Sequence, residues 1–184
     1  MNKRSILSKY ILTLLFCIIL NQNKAQNYSL NDLKSKITFS INNFGIKTNG
    51  SFSELKGTIV FLNNDLNKSK VILTANARSI NTNNKTRDKH LKKEDYFNTE
   101  IYPQITFTSS NISKGKLDKQ YLMKGLLSIK GKVKNIEILF ETTSSSIGIL
   151  FTGQFTINRR DFDVGGSSIS LSDNVIVDFN ILAN

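Results

Sequence analysis

The feature that most constrains this chain is an alternation of apolar and polar residues that recurs in most segments after residue 35. In the first alternating segment, Ile37, Phe39 and Ile41 are separated by polar side chains. Comparable apolar sets occupy every second position in residues 71–77, 121–129 and 175–181. Successive side chains of a strand point to opposite faces of the sheet, so a period of two predicts strands with two different faces. We therefore expect an all-β fold.

Turn-forming residues separate the alternating segments at intervals near ten residues. These breaks are Asn49-Gly50, Asn63-Asn64-Asp65, Lys114-Gly115, Gly131-Lys132 and Gly165-Gly166. Glycine, asparagine and aspartate favour the backbone conformations that turns require. Short strands at this spacing predict one antiparallel sandwich or barrel. No linker, internal repeat or second domain is visible.

Several predicted strands also carry apolar residues on their second face, as at Leu126, Leu139 and Leu150. A closed barrel accounts for this better than a sandwich, since one face fills or lines the interior and the other packs against an added helix or hairpin. A barrel of about eight strands encloses just enough space for side chains or one small ligand. Twelve phenylalanines and no tryptophan suit either a filled core or an apolar cavity. The pattern alone leaves both open.

One segment, residues 82–98, lacks the apolar alternation. Its central stretch tolerates helix, so we expect one or two helical turns across an end of the sheet. Leu91 and Phe97 are the apolar contacts expected to pin this segment. The single proline, Pro103, then fixes the entry into the next strand.

The N-terminus has the pattern of a secretory signal peptide over residues 1–25. Basic residues precede an apolar run over residues 10–20, and a polar stretch ends at Ala25. That run of about 11 residues is short of the roughly 20 needed to cross a bilayer as a helix. A retained anchor and lipidation at Cys17 are the alternatives, the second disfavoured by the bulky Phe16. We expect export and cleavage after Ala25.

Removal of residues 1–25 changes the composition of the chain. Cys17 is lost, so the mature chain has no disulfide, thiol nucleophile or thiolate metal site. The net charge falls from +11 to +7, because Lys3, Arg4, Lys9 and Lys24 are removed. The sign of this charge favours anionic neighbours such as phosphate or a membrane surface, but the charge is spread along many strands, so an ordinary solvated surface is the preferred explanation.

The residues offer little for catalysis. His90 is the only histidine, so neither a three-histidine nor a cysteine-containing zinc site can form, and the acidic residues lack metal-ligand spacing. No Gly-x-Ser-x-Gly elbow is present for a serine nucleophile. Nucleic-acid binding would need a basic face with stacking aromatic residues, and export argues against it. We expect no enzyme, no metal and no cofactor.

An ordered series of motifs in residues 79–109 is the most specific feature of the chain. It reads Ser79-Ile80-x-Thr82, Arg87-Asp88-x-His90-Leu91, Asp95-Tyr96-Phe97, and Tyr102-Pro103-x-Ile105-x-Phe107. Upstream lie Phe39-x-Ile41-x-x-Phe44-Gly45, Gly50-x-Phe52 and Gly57-x-Ile59-x-Phe61; downstream lie Gly125-x-Leu127-x-Ile129-x-Gly131, Arg159-Arg160-Asp161-Phe162 and Leu171-Ser172-Asp173-x-Val175. In order and number these motifs resemble the YceI-like family from about residue 28 to 182.

This resemblance implies a fold and a function. The fold is an eight-stranded antiparallel, lipocalin-like barrel spanning residues 26–184, with a short helical segment near residues 83–97. The function is non-enzymatic binding, transport or storage of a long apolar lipid, such as a polyisoprenoid or fatty-acid derivative, in the periplasm or another part of the bacterial envelope. Burial of apolar tail surface at roughly 25 cal/mol per Å² would supply the affinity. Peripheral membrane contact and a homodimer stay open.

Two departures from the family pattern bear on the site. Where the family usually has Asp-Phe-Phe-Asp, this chain has Asp95-Tyr96-Phe97-Asn98, which brings a hydroxyl to a site expected to be apolar. Where the family often has glycine after Asp-Phe, this chain has Asp163.

The candidate binding residues fall into two sets. Six large apolar residues are predicted to line the barrel, in one of two alternative registers: Phe39, Ile41, Phe61, Leu73, Phe107 and Ile129. Four residues are predicted at the mouth: Arg87, His90, Tyr96 and Phe97. Arg87 and His90 either hydrogen-bond local backbone or present positive charge to a head group.

Other charged groups have structural interpretations. Asp88 is expected to cap a short helix, and Arg159 and Asp161 are expected to pair at a strand end. Lys85, Lys89, Lys92 and Lys93 form either a phosphate-attracting patch or a solvated helix face. The alternative to a lipid carrier is a secreted β-domain with a filled core, acting through protein–protein interaction or stress protection. The volume inside the barrel discriminates between these two functions.

Overall fold

The computed structural model describes residues 27–184. The predicted signal peptide, residues 1–25, and its cleavage point therefore lie outside the described residues. No helix in the described part of the chain has the length and hydropathy needed to cross a bilayer.

The protein is built almost entirely of strands. Ten strands are β1 (Asn27–Ser29), β2 (Lys36–Asn43), β3 (Ile46–Phe52), β4 (Lys56–Val60), β5 (Lys70–Asn76), β6 (Gln104–Lys114), β7 (Gln120–Ile129), β8 (Lys132–Ser145), β9 (Gly148–Asn158) and β10 (Asn174–Ala183). One α-helix, α1 (Lys85–Leu91), and short 3₁₀ helices at Asp32–Lys34, Leu66–Lys68, Ala77–Ser79 and Arg159–Phe162 complete the described elements. The predicted all-β class is confirmed.

All ten strands belong to one antiparallel sheet with the order β1-β4-β5-β6-β7-β8-β9-β10-β2-β3. The sheet curls until its ends meet. Leu30 bridges Ala183 at the end of β10, and the backbone N–H groups of Ser29 and Asn31 donate to the carbonyls of Asn184 and Leu182. These bonds place residues 29–31 against β10 and close the barrel.

The strand number differs from the predicted eight because two long strands are interrupted. Tyr28 pairs with Ile59 and Ile37 pairs with Phe52, so β1–β2 and β3–β4 form one long hairpin with a small offset between its halves. The two interruptions contact each other, since the Asp32 carboxylate accepts a 2.7 Å hydrogen bond from the Leu55 N–H. Counting each interrupted strand once recovers an eight-stranded ring.

One predicted turn is wrong. Asn49-Gly50 lies inside β3, and the chain turns instead at Phe44 and Gly45, both with left-handed φ angles of 50° and 75°. Gly50 is a close-packing glycine, because a Cβ there would overlap the ring of Phe39 on the neighbouring strand. The strand therefore continues through Gly50, and the hairpin turn lies at Phe44 and Gly45, where both residues have positive φ angles.

The non-strand segment near residues 83–97 contains the expected helix, followed by turns that lead through Pro103 into β6. Its N-cap is Asn84, whose side chain accepts from the Arg87 N–H at 3.0 Å. The expectation that Asp88 caps the helix is wrong. Asp88 lies within the first turn, and its carboxylate accepts from the N–H and hydroxyl of Thr82 at 2.9 and 2.6 Å.

Candidate functional site

The barrel interior is filled at one end and hollow at the other. At the filled end, Phe61 lies 5.0 Å from Tyr121 and 5.3 Å from Phe151 between ring centroids, and Tyr121 stacks on Phe140 at 5.3 Å. The Tyr121 hydroxyl donates to the Asn63 side chain at 2.5 Å, which satisfies the only polar atom of these four side chains. We call Phe61, Tyr121, Phe140 and Phe151 the aromatic floor.

The hollow end contains a cavity of about 550 Å³ whose wall is mostly apolar. This volume lies within the roughly 300–1,000 Å³ typical of small-molecule sites. The filled-core premise of the alternative function therefore holds only for the end of the barrel that contains the aromatic floor.

Five of the six predicted lining residues border the cavity. These are Phe39, Ile41, Leu73, Phe107 and Ile129, which the strand pairing turns inward together. Phe61 does not border the cavity: it is 5% exposed and packed in the aromatic floor, so its predicted place in the lining is wrong. The alternation correctly indicated that Phe61 faces the barrel interior. A period of two does not indicate where along the barrel axis a side chain lies.

Sequence reasoning missed the part of the cavity wall that β9 and β10 form. Phe155 and Ile157 of β9 and Val175, Val177 and Phe179 of β10 also face the cavity. Residues 175–181 show the same alternation as the chosen strands, so the signal was available. What it lacked was the pairing of β10 with both β2 and β9.

Three segments surround the opening of the cavity. They are the β2–β3 hairpin tip, helix α1 with its following turn, and the loop between Asp163 and Leu171. Phe44, His90 and Ser168, one from each segment, are exposed and also border the cavity. The mouth therefore lies between these three segments.

All four predicted mouth residues border the cavity. Arg87 donates from Nε to the Thr82 hydroxyl at 2.8 Å and from Nη2 to the Thr82 carbonyl at 2.9 Å. Within residues 27–184, no carboxylate lies in salt-bridge distance of this guanidinium. Arg87 thus hydrogen-bonds the local backbone, as one interpretation expected, and it also borders the cavity. Its contact with a ligand head group stays a prediction.

Two groups of aromatic rings border the cavity, one at the mouth and one along the wall. The rings of His90 and Tyr96 meet edge to face at 4.8 Å between centroids. Phe97 packs edge-on against Phe52 at 5.6 Å, and Phe52 contacts Phe39 at 5.5 Å. Imidazole and phenol groups therefore lie at the rim while the phenyl rings continue inward, which grades the site from polar to apolar.

The loop between Asp163 and Leu171, which we call the mouth loop, is held by a buried arginine. Sequence reasoning did not assign this arginine to the site. Arg159 is 4% exposed and donates to the carbonyls of Val164, Gly165 and Gly166 through Nη1. It also donates to Ser172 and Leu171, and it pairs with Asp173 at 2.8 Å. The expected pairing with Asp161 is wrong, because Asp161 faces Lys134 at 3.9 Å. Guanidinium is suited to this task because it offers five donors in a rigid plane.

The two departures from the family pattern have distinct structural settings. Asp163 ends the 3₁₀ helix with a left-handed φ of 53°, a conformation that glycine adopts most readily and aspartate tolerates. Its carboxylate also pairs with Lys132 at 3.1 Å. The Tyr96 ring packs on Gly165, where a Cβ would lie 2.6 Å from its Cε1 atom, and the Gly165 N–H donates to the Asp95 carbonyl.

The charged side chains of α1 and of the turn that follows it are mostly basic. Lys85, Lys89, Lys92 and Lys93 have no acidic partner within 4 Å among residues 27–184. That part of the chain also contains no group of three or more histidine, cysteine, aspartate or glutamate side chains placed to hold a metal ion. The site as built can bury an apolar chain and offer its polar end hydroxyls, an imidazole and a guanidinium.

A closed antiparallel barrel with an apolar cavity and a polar mouth places the protein among lipocalin-like barrels. More narrowly, residues 28–183 match the YceI-like domain, and the chain belongs to that family.

Sequence relatives agree with this assignment. YceI of Escherichia coli is 37% identical over 89 residues, which are 48% of this chain and 46% of the relative. A UPF0312 protein of Photorhabdus laumondii is 37% identical over 87 residues, 47% of this chain and 44% of the relative. These matches span less than half of either chain. A UPF0312 protein of Staphylococcus aureus is 28% identical over 75% of this chain and 82% of its own.

Solved structures share the fold. BcnA of Burkholderia cenocepacia superimposes with a TM-score of 0.80 at 24% identity, covering 84% of this chain and 99% of its own. A polyisoprenoid-binding domain from Saccharophagus degradans gives 0.69 at 19% identity, covering 85% and 97%. The YceI protein of Campylobacter jejuni gives 0.65 at 29% identity, covering 73% and 84%.

Proposed function

We propose that this protein binds the long apolar tail of a single lipid, a polyisoprenoid or fatty-acid derivative, inside the hollow half of its barrel. The observation that carries the proposal is the apolar cavity of about 550 Å³ in the mouth end of a barrel whose other end is filled by the aromatic floor. A cavity with mostly apolar walls and polar groups at its mouth suits a molecule with an apolar tail and a polar head.

The same proposal assigns no catalysis to the protein. The mouth offers Arg87, His90 and serine hydroxyls, which suit recognition of a head group. A non-enzymatic carrier or reservoir of the cell envelope agrees with the signal-peptide pattern of residues 1–25. It also agrees with the polyisoprenoid named for the Saccharophagus degradans domain.

The proposal is tested by lipid uptake into delipidated protein. A fluorescent fatty acid or prenyl alcohol is titrated into wild type and into Ala75→Phe, since Ala75 is a buried residue of the cavity wall. We expect one ligand per chain for wild type, and a ring at position 75 to reduce uptake at least tenfold.

The matched control is Ala77→Phe, at a buried alanine that does not border the cavity. A folded Ala77→Phe protein should keep its uptake, and urea unfolding identifies any variant that has lost its fold. Equal uptake by wild type and a folded Ala75→Phe protein, or no uptake by wild type, would contradict the proposal.

A further inference from the structure

Three strongly exposed apolar side chains lie at the tips of two of the three segments that surround the mouth. Phe44 is 78% exposed and Ile46 is 71% exposed at the hairpin tip, and Ile169 is fully exposed at the tip of the mouth loop. We call these three residues the apolar rim. The two tips form one unit, because the Phe44 N–H donates to the Ser170 carbonyl at 2.9 Å and Asn43 bridges Leu171.

The backbone of Phe44 in the apolar rim has a strained conformation, and the phenyl ring of this residue is mostly exposed to water. Phe44 occupies the first position of a two-residue hairpin turn with a φ of 50°, where asparagine or glycine is the ordinary choice. A bulky residue in this conformation is an outlier, and local strain of this kind is a basis for a functional hypothesis. Burial within the protein does not offset the strain, since the ring is mostly exposed.

The charges beside the apolar rim are mainly positive. Residues 42–48 and 84–93 together contain six basic residues and one acidic residue. The acidic residue, Asp88, is bound to Thr82, while Lys47, Lys85 and Lys89 are exposed. Glu94 and Asp95 follow directly and reduce the net charge, so we expect moderate attraction to an anionic surface.

We propose that the protein docks on a bilayer containing anionic lipid, with its mouth facing the membrane and the apolar rim inserted among the head groups. Apolar tips flanked by lysines match an interface that is negatively charged above and apolar below. Docking in this orientation rests on the proposed function, because it lets a lipid tail pass between bilayer and cavity without crossing water.

The test is flotation with vesicles of phosphatidylcholine containing one-third phosphatidylglycerol, using delipidated protein. Ile46→Ser/Ile169→Ser removes two rim side chains that do not line the cavity. We expect this variant to lower the vesicle partition coefficient at least tenfold. Pure phosphatidylcholine vesicles or 0.5 M salt should weaken wild-type binding, because the lysines then lose their contribution.

The matched control is Leu117→Ser/Ile147→Ser, at two turn residues at the opposite end of the barrel that are 65% and 50% exposed. This variant should bind vesicles like wild type. Absence of wild-type vesicle binding, or equal losses in both double variants, would overturn the docking proposal.

A local readout separates docking by the rim from attachment through the N-terminal segment. An environment-sensitive fluorophore is attached to a cysteine at Ile169→Cys or at Leu117→Cys, each in a Cys17→Ser background. Vesicles should shift the emission of the label at position 169 to the blue and leave that at position 117 unchanged. Equal responses would contradict the orientation.

Docking and the proposed function can fail separately. Vesicle binding is measured on empty protein, whereas lipid uptake is measured with soluble ligand and no vesicles. We expect Ile46→Ser/Ile169→Ser to keep its uptake while losing vesicle binding. A protein that takes up ligand but ignores vesicles would refute docking alone, and one that docks without taking up ligand would refute the carrier function alone.

Discussion

At the scale of single residues, two arginines have different tasks at the same mouth. Arg159 is buried and uses its guanidinium to hold the loop around Gly165, whereas Arg87 borders the cavity and has no carboxylate partner in the described chain. Both belong to short motifs that the sequence displays. Their tasks differ because Arg159 is buried in the fold and Arg87 lies near the opening of the cavity. The neighbouring residues in the sequence do not reveal this difference.

Replacement of Arg159 should destabilise the protein while its neighbour tolerates the same change. Arg159→Met leaves the carbonyls of Val164 and Gly166 without their donor, so we expect a loss of about 2–4 kcal/mol in the free energy of unfolding. Arg160→Met is the control, since Arg160 is exposed and its change should stay within about 0.5 kcal/mol. Urea unfolding measures both, and equal effects would show that Arg159 does not hold the loop.

Arg87 should discriminate between ligands by their head groups. Arg87→Met removes the charge-assisted hydrogen bond that we expect between the guanidinium and a phosphate head group. A prenyl phosphate should therefore bind about tenfold more weakly, while the affinity for a prenyl alcohol should change less than about threefold. Arg78→Met is the control, because Arg78 bonds the Thr99 carbonyl and does not border the cavity. Titration of delipidated protein gives both constants. Equal weakening for both ligands would indicate a structural role alone.

At the scale of elements, the strands could be predicted from alternation and the interruptions could not. A period of two identifies which residues share a face, and Phe39, Leu73 and Phe107 all border the cavity. The breaks in the first two long strands contact each other through a hydrogen bond from Leu55 to Asp32, 23 residues apart, and neither segment alone shows that contact. The place of Phe61 in the aromatic floor likewise depends on the stagger between strands, which no single strand encodes.

Two phenylalanines on inner faces should respond differently to truncation. Phe140→Ala opens a void in the packed aromatic floor and should cost about 3–5 kcal/mol. Phe107→Ala enlarges a space that already exists, so mainly the transfer term is lost, about 2 kcal/mol. Unfolding of delipidated protein compares them.

Lipid retention adds a second comparison between the same variants. It should fall, or change its preferred chain length, for Phe107→Ala, because that side chain borders the cavity. A full core-sized loss of stability for Phe107→Ala, with no lipid ever bound, would favour the filled-core alternative.

At the scale of the whole molecule, the barrel divides its interior between stability and binding. The aromatic floor is tightly packed at one end of the barrel, whereas the hollow end contains the cavity. Family motifs predicted the barrel and the set of mouth residues. The division itself depends on which inward side chains reach one another across the barrel, so it emerges only from the assembled structure.

The central claim is that the hollow half holds one lipid tail. Native mass spectrometry of the protein, purified from its expression host without detergent, tests this claim most directly. We predict the mass of the chain plus one lipid, with the adduct lost on organic extraction and regained on incubation with a polyisoprenoid or a fatty acid. Detection of the bare chain alone, before extraction and again after incubation with both lipid classes, would contradict the claim.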